Sequence, residues 1–189
     1  AIDGNRLYLS KDYGVLWQEL QPGGNVNLNW KTIATSSNGQ VAIAGIYGGR
    51  LYKLVTGDIV SYSEMQPAGN VNKNWQSVSV SDDGQVIFAA AYGSDMYYST
   101  NGGSSWSSFG MTQNWASVSV SGDGNTIITA ISSGVLTKVT NNKGTMKSSQ
   151  IRASDVYKDT DISTNGTYMV VTTSTYAYRS TNGGSSWTM

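Results

Sequence analysis

The chain has 189 residues, enough to bury a sizeable core in one domain, with 12 Lys+Arg against 12 Asp+Glu and only 13% charged residues, about half the usual share. That balance leaves no electrostatic footprint for nucleic acid or an acidic membrane surface, and no apolar run approaches the ~20 residues of a bilayer-spanning helix, so membrane insertion is not expected. Cys and His are both absent, which excludes disulfides, thiolate nucleophiles, imidazole acid-base catalysis and the common zinc and haem ligand sets; no metal or cofactor is expected.

Residues 1–20 contain "AIDGNRLYLSKDYG", which aligns with "AAYGSDMYYSTNGG" when Ser10 is set on Ser99, so the chain is expected to begin at the end of one strand and to run through two more. Four longer units follow. They open with "NWKTIATSSNG" from Asn29, "NWQSVSVSDDG" from Asn74, "NWASVSVSGDG" from Asn114 and "VYKDTDISTNG" from Val156. The aromatics Trp30, Trp75, Trp115 and Tyr157 lie 45, 40 and 42 residues apart, and each is followed six positions later by Ser and nine later by Gly. This period is that of β-propeller blades.

Within a unit, alternating segments such as "SVSVS" lead to an apolar run such as "VIFAAAY", then to "MYYS", then to a short segment opening at Trp106. Asn-Gly, Asp-Gly or Gly-Gly marks the junctions and supplies the positive-φ residues of tight hairpins. The expected fold is therefore all-β: a β-propeller of four-stranded antiparallel blades, with strands A to D running outward. Its single domain, 1–189, divides into a half blade over 1–20 and full blades over 29–65, 74–110, 114–150 and 156–189. A ring so divided is either a segment of a longer propeller, the preferred reading, or is completed by a second copy in a homo-oligomer or by another partner.

The octapeptide "STNGGSSW" occurs at Ser99 to Trp106 and again at Ser180 to Trp187, and "SKDYGVLW" at Ser10 to Trp17 shares its Ser-x-Asp/Asn-x-Gly-x-x-Trp frame. These segments resemble the Asp-box, or BNR, repeat of sialidases, sortilin-type receptors and other β-propellers. The chemistry suits a turn: Asp12, Asn101 and Asn182 accept from turn amides, Gly14, Gly103 and Gly184 take a left-handed conformation, and the Trp packs back on the hairpin. Two units lack the box, reading "LVTGDIVS" and "VTNNKGTM", and two boxes carry Asn for Asp. A catalytic carboxylate would tolerate neither change.

A sialidase would further require three converging arginines, a Tyr/Glu pair and an acidic proton donor. The chain has Arg6, Arg50, Arg152 and Arg179, and its two glutamates, Glu19 and Glu64, fall at equivalent positions of outer strands. No catalytic set is expected.

Ligand contacts in this architecture are expected where the D-to-A and B-to-C connections gather. "QPGGNVNLNW" and "QPAGNVNKNW", identical in eight of ten positions, place Asn25, Asn27, Asn70 and Asn72 there, either as recurring ligand contacts or as the mark of a recently duplicated blade. "YGGR" adds Tyr47 and Arg50, and "YGSD" adds Tyr92 and Asp95. Amides, flat aromatic faces and glycine backbone suit neutral sugars, although Tyr is also simply a good strand residue. "DVYKDTD" lacks the pattern of a calcium loop and reads as a solvated strand start, and Asn165-Gly166-Thr167 is both a formal glycosylation acceptor and a turn.

The expected function is a non-enzymatic binding or interaction module presenting these loops to a carbohydrate or protein ligand. Two alternatives stand beside it: a segment of a larger propeller glycoside hydrolase whose catalytic residues lie outside the chain, and a purely structural repeat of a fibre or virion. The polar, low-charge composition resembles extracellular or virion β-proteins, while the absence of Cys fits a reducing compartment equally.

Overall fold

The computed structural model describes residues 6–189. Among these residues there is no helix, and the strands pair antiparallel in short meanders. β1 (Leu7–Leu9) and β2 (Gln18–Leu20) form a two-stranded hairpin. β3 (Trp30–Thr35), β4 (Val41–Gly49), β5 (Leu51–Thr56) and β6 (Val60–Met65) pair in chain order. So do β7 (Lys73–Val80), β8 (Ile87–Ala91), β9 (Met96–Ser99) and β10 (Ser107–Ser108), and then β11 (Trp115–Val120), β12 (Thr126–Ile131), β13 (Gly134–Asn142) and β14 (Thr145–Asp155). The last meander is β15 (Tyr157–Ile162), β16 (Met169–Thr173) and β17 (Ala177–Ser180), with a bridge from Arg179 to Thr188 in the fourth place.

The sequence units map onto these sheets, with one difference. The second and third meanders are not separate: β4 runs on so that Tyr47 and Gly49 pair with Asn74 and Lys73 of β7, joining both into an eight-stranded sheet. Gly48, at φ 74°, gives β4 the irregularity that turns it towards β7. The expectation about the strand at the very start of the chain falls on residues 1–5, outside the described ones.

Recurrent Ser and Gly have a local cause. Ser36, Ser81, Ser121 and Ser163 each accept, through Oγ, the backbone N–H five residues on, at 2.9–3.0 Å. Gly39, Gly84, Gly124 and Gly166 close the same turns at φ 68–74°.

Consecutive meanders pack face to face, the second and third as the two halves of one folded sheet. Ile43, Leu51 and Met65 of the second meander meet Trp75, Val78 and Ile87 of the third, and Phe88 and Met96 of the third meet Trp115, Val118 and Val139 of the fourth. Leu136 and Ala130 continue the series onto Tyr157 and Val171, while Leu7 and Leu20 lie on Trp30 and Leu54. Both faces of each inner sheet are thereby buried, which accounts for β8 being buried along its whole length.

The three turns of the Ser-x-Asp/Asn-x-Gly-x-x-Trp frame form as their residues dictate. Ser10, Ser99 and Ser180 accept the N–H of Gly14, Gly103 and Gly184 at 2.7, 2.9 and 2.9 Å. The side-chain oxygens of Asp12, Asn101 and Asn182 accept from Leu16, Ser105 and Ser186, each at 2.9 Å. Gly14, Gly103 and Gly184 sit at φ 85–90°. The tryptophans differ: Trp106 packs beside Met65 and Ile87 and Trp187 beside Val171, but Trp17 is 62% exposed, because no described sheet lies over that side of β1 and β2. Trp17 still folds back on its own hairpin, its Nε1 donating to the Gly14 carbonyl at 3.0 Å as Trp106 Nε1 does to Gly103 at 3.1 Å, but no second described sheet covers the ring.

Candidate functional site

The strands that open the four meanders, β3, β7, β11 and β15, lie next to one another in that order. They are joined by side-chain hydroxyls rather than by a backbone ladder. Thr32 Oγ1 accepts from Val78 N at 3.0 Å, Ser77 Oγ from Val118 N at 3.1 Å, Ser79 Oγ from Val120 N at 3.0 Å and Ser117 Oγ from Thr160 N at 3.3 Å. Ser119 Oγ donates to the Thr160 carbonyl at 2.6 Å. Serine thus alternates with valine in "SVSVS" because the hydroxyls of Ser77, Ser79, Ser117 and Ser119 each pair with a backbone group of the neighbouring strand.

Each of these strands carries a β-bulge at the same place. Register slips between Trp30 and Thr32, Trp75 and Ser77, Trp115 and Ser117, and Tyr157 and Asp159. The extra residues are Lys31, Gln76, Ala116 and Lys158, and a bulge re-aims the side chain of its extra residue. All four line one cavity of about 330 Å³, together with Tyr47, Tyr92, Ser132, Trp115 and Tyr157. A second cavity of about 490 Å³ shares the four bulge residues and continues along the hydroxyl-bearing strands.

The aromatics opening the strands hold this mouth in place. Trp75 Nε1 donates to the Gly49 carbonyl at 3.1 Å, and Trp115 Nε1 to the Ser94 carbonyl at 3.0 Å. In the last sheet Tyr157 replaces the indole and its hydroxyl donates to the Ala153 carbonyl at 2.6 Å. Each bond runs back to the preceding sheet and fixes the spacing between sheets.

The structure divides the eight candidate residues. Tyr47 and Tyr92 stand together at the mouth, 41% and 42% exposed. The others are not among its lining. Asn27 Oδ1 accepts from Arg6 Nε at 2.8 Å, and Asn70 Oδ1 from Arg50 Nη2 at 2.6 Å, so the doubled loop is tied back by an arginine in both copies. The same arginines approach Glu19 and Glu64 at 3.4 and 3.6 Å. Asn25 accepts from Gln21 at 3.4 Å, and Asn72 is exposed. Asp95 accepts from Thr112 Oγ1 at 2.7 Å and Ser108 Oγ at 2.8 Å, and these two hydroxyls hold its carboxyl below the usual carboxylate range.

Arg152 is engaged elsewhere, 3.6 Å above the Tyr178 ring and 3.2 Å from Asp155. Sequence reasoning missed Lys31, Gln76, Ser132 and Lys158. The signal available was positional: three of them sit at or just beyond the repeat aromatic, where a polar residue in a strand reads as a solvated face.

No family model and no curated protein matches the chain. Among solved structures the chain is similar to one from hydrazine synthase of Kuenenia stuttgartiensis, with a TM-score of 0.60 and 16% identity over 83% of this chain. The chain spans 47% of that neighbour's length, and a likeness at this identity concerns the fold alone.

Proposed function

We propose that the meanders are blades of an Asp-box β-propeller and that the protein is a non-enzymatic binding module whose ligand, a carbohydrate, enters the mouth lined by Tyr47 and Tyr92. The observation that carries this reading is the convergence of both tyrosines with Gln76 and Ser132 on one cavity of about 330 Å³. Flat aromatic faces beside an amide and a hydroxyl are what a sugar ring, with its apolar faces and polar rim, requires. β3, β7, β11 and β15 serve as the innermost strands, and their repeated hydroxyl bonds and bulges support a common axis.

The non-enzymatic part rests on the carboxylates. Both glutamates stand by an arginine outside the mouth, and Asp159, in the second cavity, accepts from Ser117 Oγ at 2.8 Å and from its own chain at Thr160 N at 2.9 Å. A general acid and base facing a bound glycosidic bond need two free carboxyls across the site.

The test is an NMR titration of the ¹⁵N-labelled chain with a panel of neutral and acidic oligosaccharides. The expected result is saturable amide shifts at Tyr47, Gln76, Tyr92 and Ser132 without product formation. Shifts confined to the box turns at Gly14, Gly103 and Gly184, or hydrolysis of any oligosaccharide, overturn the reading.

A further inference from the structure

Two of the four bulged residues at the mouth are cationic. Lys31 comes from β3 and Lys158 from β15, the first and last of the four adjoining strands, yet both line the same cavity. Between them the equivalent positions hold Gln76 and Ala116. Neither of these two side chains carries a negative charge that would pair with the lysines.

Four of the other six lysines are tied to the fold, whereas Lys143 and Lys147, on the exposed hairpin of β13 and β14, are not. Lys11, Lys53 and Lys138 each donate to a glycine carbonyl of a neighbouring hairpin, at 2.7, 2.7 and 3.1 Å, and Lys73 donates to Ser94 Oγ at 2.8 Å. Lys31 and Lys158 have no hydrogen-bond or ion-pair partner among the described residues. No carboxylate lines the mouth. Both lysines also line the second cavity, whose one carboxylate, Asp159, is held by Ser117 and Thr160 N.

Holding two like charges over one cavity is unfavourable in the empty protein, and an anion placed between them removes the repulsion and gains charge-assisted hydrogen bonds. The four bulges recur at equivalent positions, so the backbone brings both lysines, each of them exposed, to the lining of one cavity. We infer that the mouth takes an oxyanion-bearing ligand, a carboxylated or sulfated sugar, whose anionic group sits between Lys31 and Lys158 while its ring lies against Tyr47 or Tyr92. This rests on the carbohydrate reading above and narrows it to acidic sugars.

The experiment titrates the full chain with sodium glucuronate, glucose and inorganic sulfate, following the amides of Tyr47, Gln76, Tyr92 and Ser132. Glucuronate is expected to give saturable shifts that weaken as sodium chloride is raised, because exposed charges are screened within ~10 Å at 0.1 M salt. Lys31→Gln and Lys158→Gln are each expected to weaken glucuronate by about tenfold, the size of one charge-assisted hydrogen bond. Lys147→Gln, on exposed β14, is the control for net charge and should change nothing. Competition by sulfate at the same amides supports the oxyanion contact. Glucose binding as well as glucuronate, with neither lysine variant altering it, overturns the oxyanion assignment and leaves the carbohydrate reading standing. No saturable shift with glucuronate or sulfate also overturns it, and the oligosaccharide panel then decides the carbohydrate reading by itself.

Discussion

Ser77 Oγ accepts the backbone N–H of Val118 at 3.1 Å and lies 3.4 Å from the Val118 carbonyl, so one hydroxyl bridges both polar groups of a residue on the next inner strand. Removing it strands a buried N–H without a partner. Ser77→Ala is expected to destabilise by about 1–3 kcal/mol, whereas Ser77→Thr keeps the hydroxyl and the stability. Urea unfolding of both variants measures this; equal midpoints for Ala and wild type would show that water substitutes for the bridge.

The turns at Asp12, Asn101 and Asn182 are expected to differ in their response to acid. Asp12 is held below its ordinary pKa first by the Leu16 N–H and then by the Ser10 hydroxyl. A depressed folded-state pKa contributes stability above the unfolded value, and that contribution is lost as pH falls through the folded one. The Leu16 amide is therefore expected to titrate below pH 3.8, whereas Ser105 and Ser186, bonded to Asn101 and Asn182, should not respond. A flat Leu16 shift across that range would rule out the carboxylate as its acceptor in solution.

Gly103 combines a backbone and a packing requirement. It sits at φ +87°, and a Cβ there would collide with the methyl group of Met65 from the preceding sheet. Gly110, at φ +75°, has open space around it. Gly110→Ala is expected to cost about 1 kcal/mol, the backbone contribution alone, and Gly103→Ala clearly more, with Gly103→Val beyond that. Equal costs at the two glycines would mean that Met65 yields freely.

Much of this fold was legible because its determinants are local. Ser36 with Gly39, or Ser99 with Asn101 and Gly103, fix a turn within a few residues, so their repetition reads directly from the chain. The bulge at Lys31 was not legible, since a bulge is defined by the residues opposite, here Gly45 and Ile46 of β4. Nor was the bridge from Ser77 to Val118: period-two polarity implies a strand with one wet face, and only the neighbouring strand gives the hydroxyl another partner. Tyr47 and Tyr92 stand out in the sequence through the glycines beside them, whereas the bonds from Arg6 to Asn27 and from Arg50 to Asn70 join residues about 20 positions apart and are legible only in the fold.

The tryptophans separate core from surface. Trp75 and Trp115 are each 1% exposed and donate through Nε1 to the preceding sheet, so Trp75→Ala and Trp115→Ala are each expected to cost about 3–5 kcal/mol. Trp17→Ala, at an exposed ring, should cost less than about 1 kcal/mol. Denaturant midpoints of the three variants test the ranking, and a Trp17 cost equal to that of Trp75 would mean that another molecule covers it in solution.

The end sheets present the two kinds of face that meet inside the molecule. Ile43 and Phe88 hold equivalent places on β4 and β8 and are buried against the following sheet, and Ile128 of β12 is buried likewise. Val170 holds that place on β16 and is 46% exposed, beside Tyr168 at 59%. At the other end Tyr8 and Trp17, 49% and 62% exposed, correspond to Tyr97 and Trp106, which pack on the preceding sheet. A second copy placed with its Tyr8 and Trp17 over Tyr168 and Val170 would repeat the internal junction. Such a contact joins two different surfaces, so it closes a ring only if the rotation per copy allows, and otherwise extends. The 189-residue chain is therefore expected to self-associate as its concentration rises, and light scattering over a wide concentration range measures it. Val170→Lys places a charge on the face and should shift association to higher concentration without altering the denaturant midpoint of dilute protein. A wild-type chain that stays monomeric throughout would show that these faces do not recognise each other.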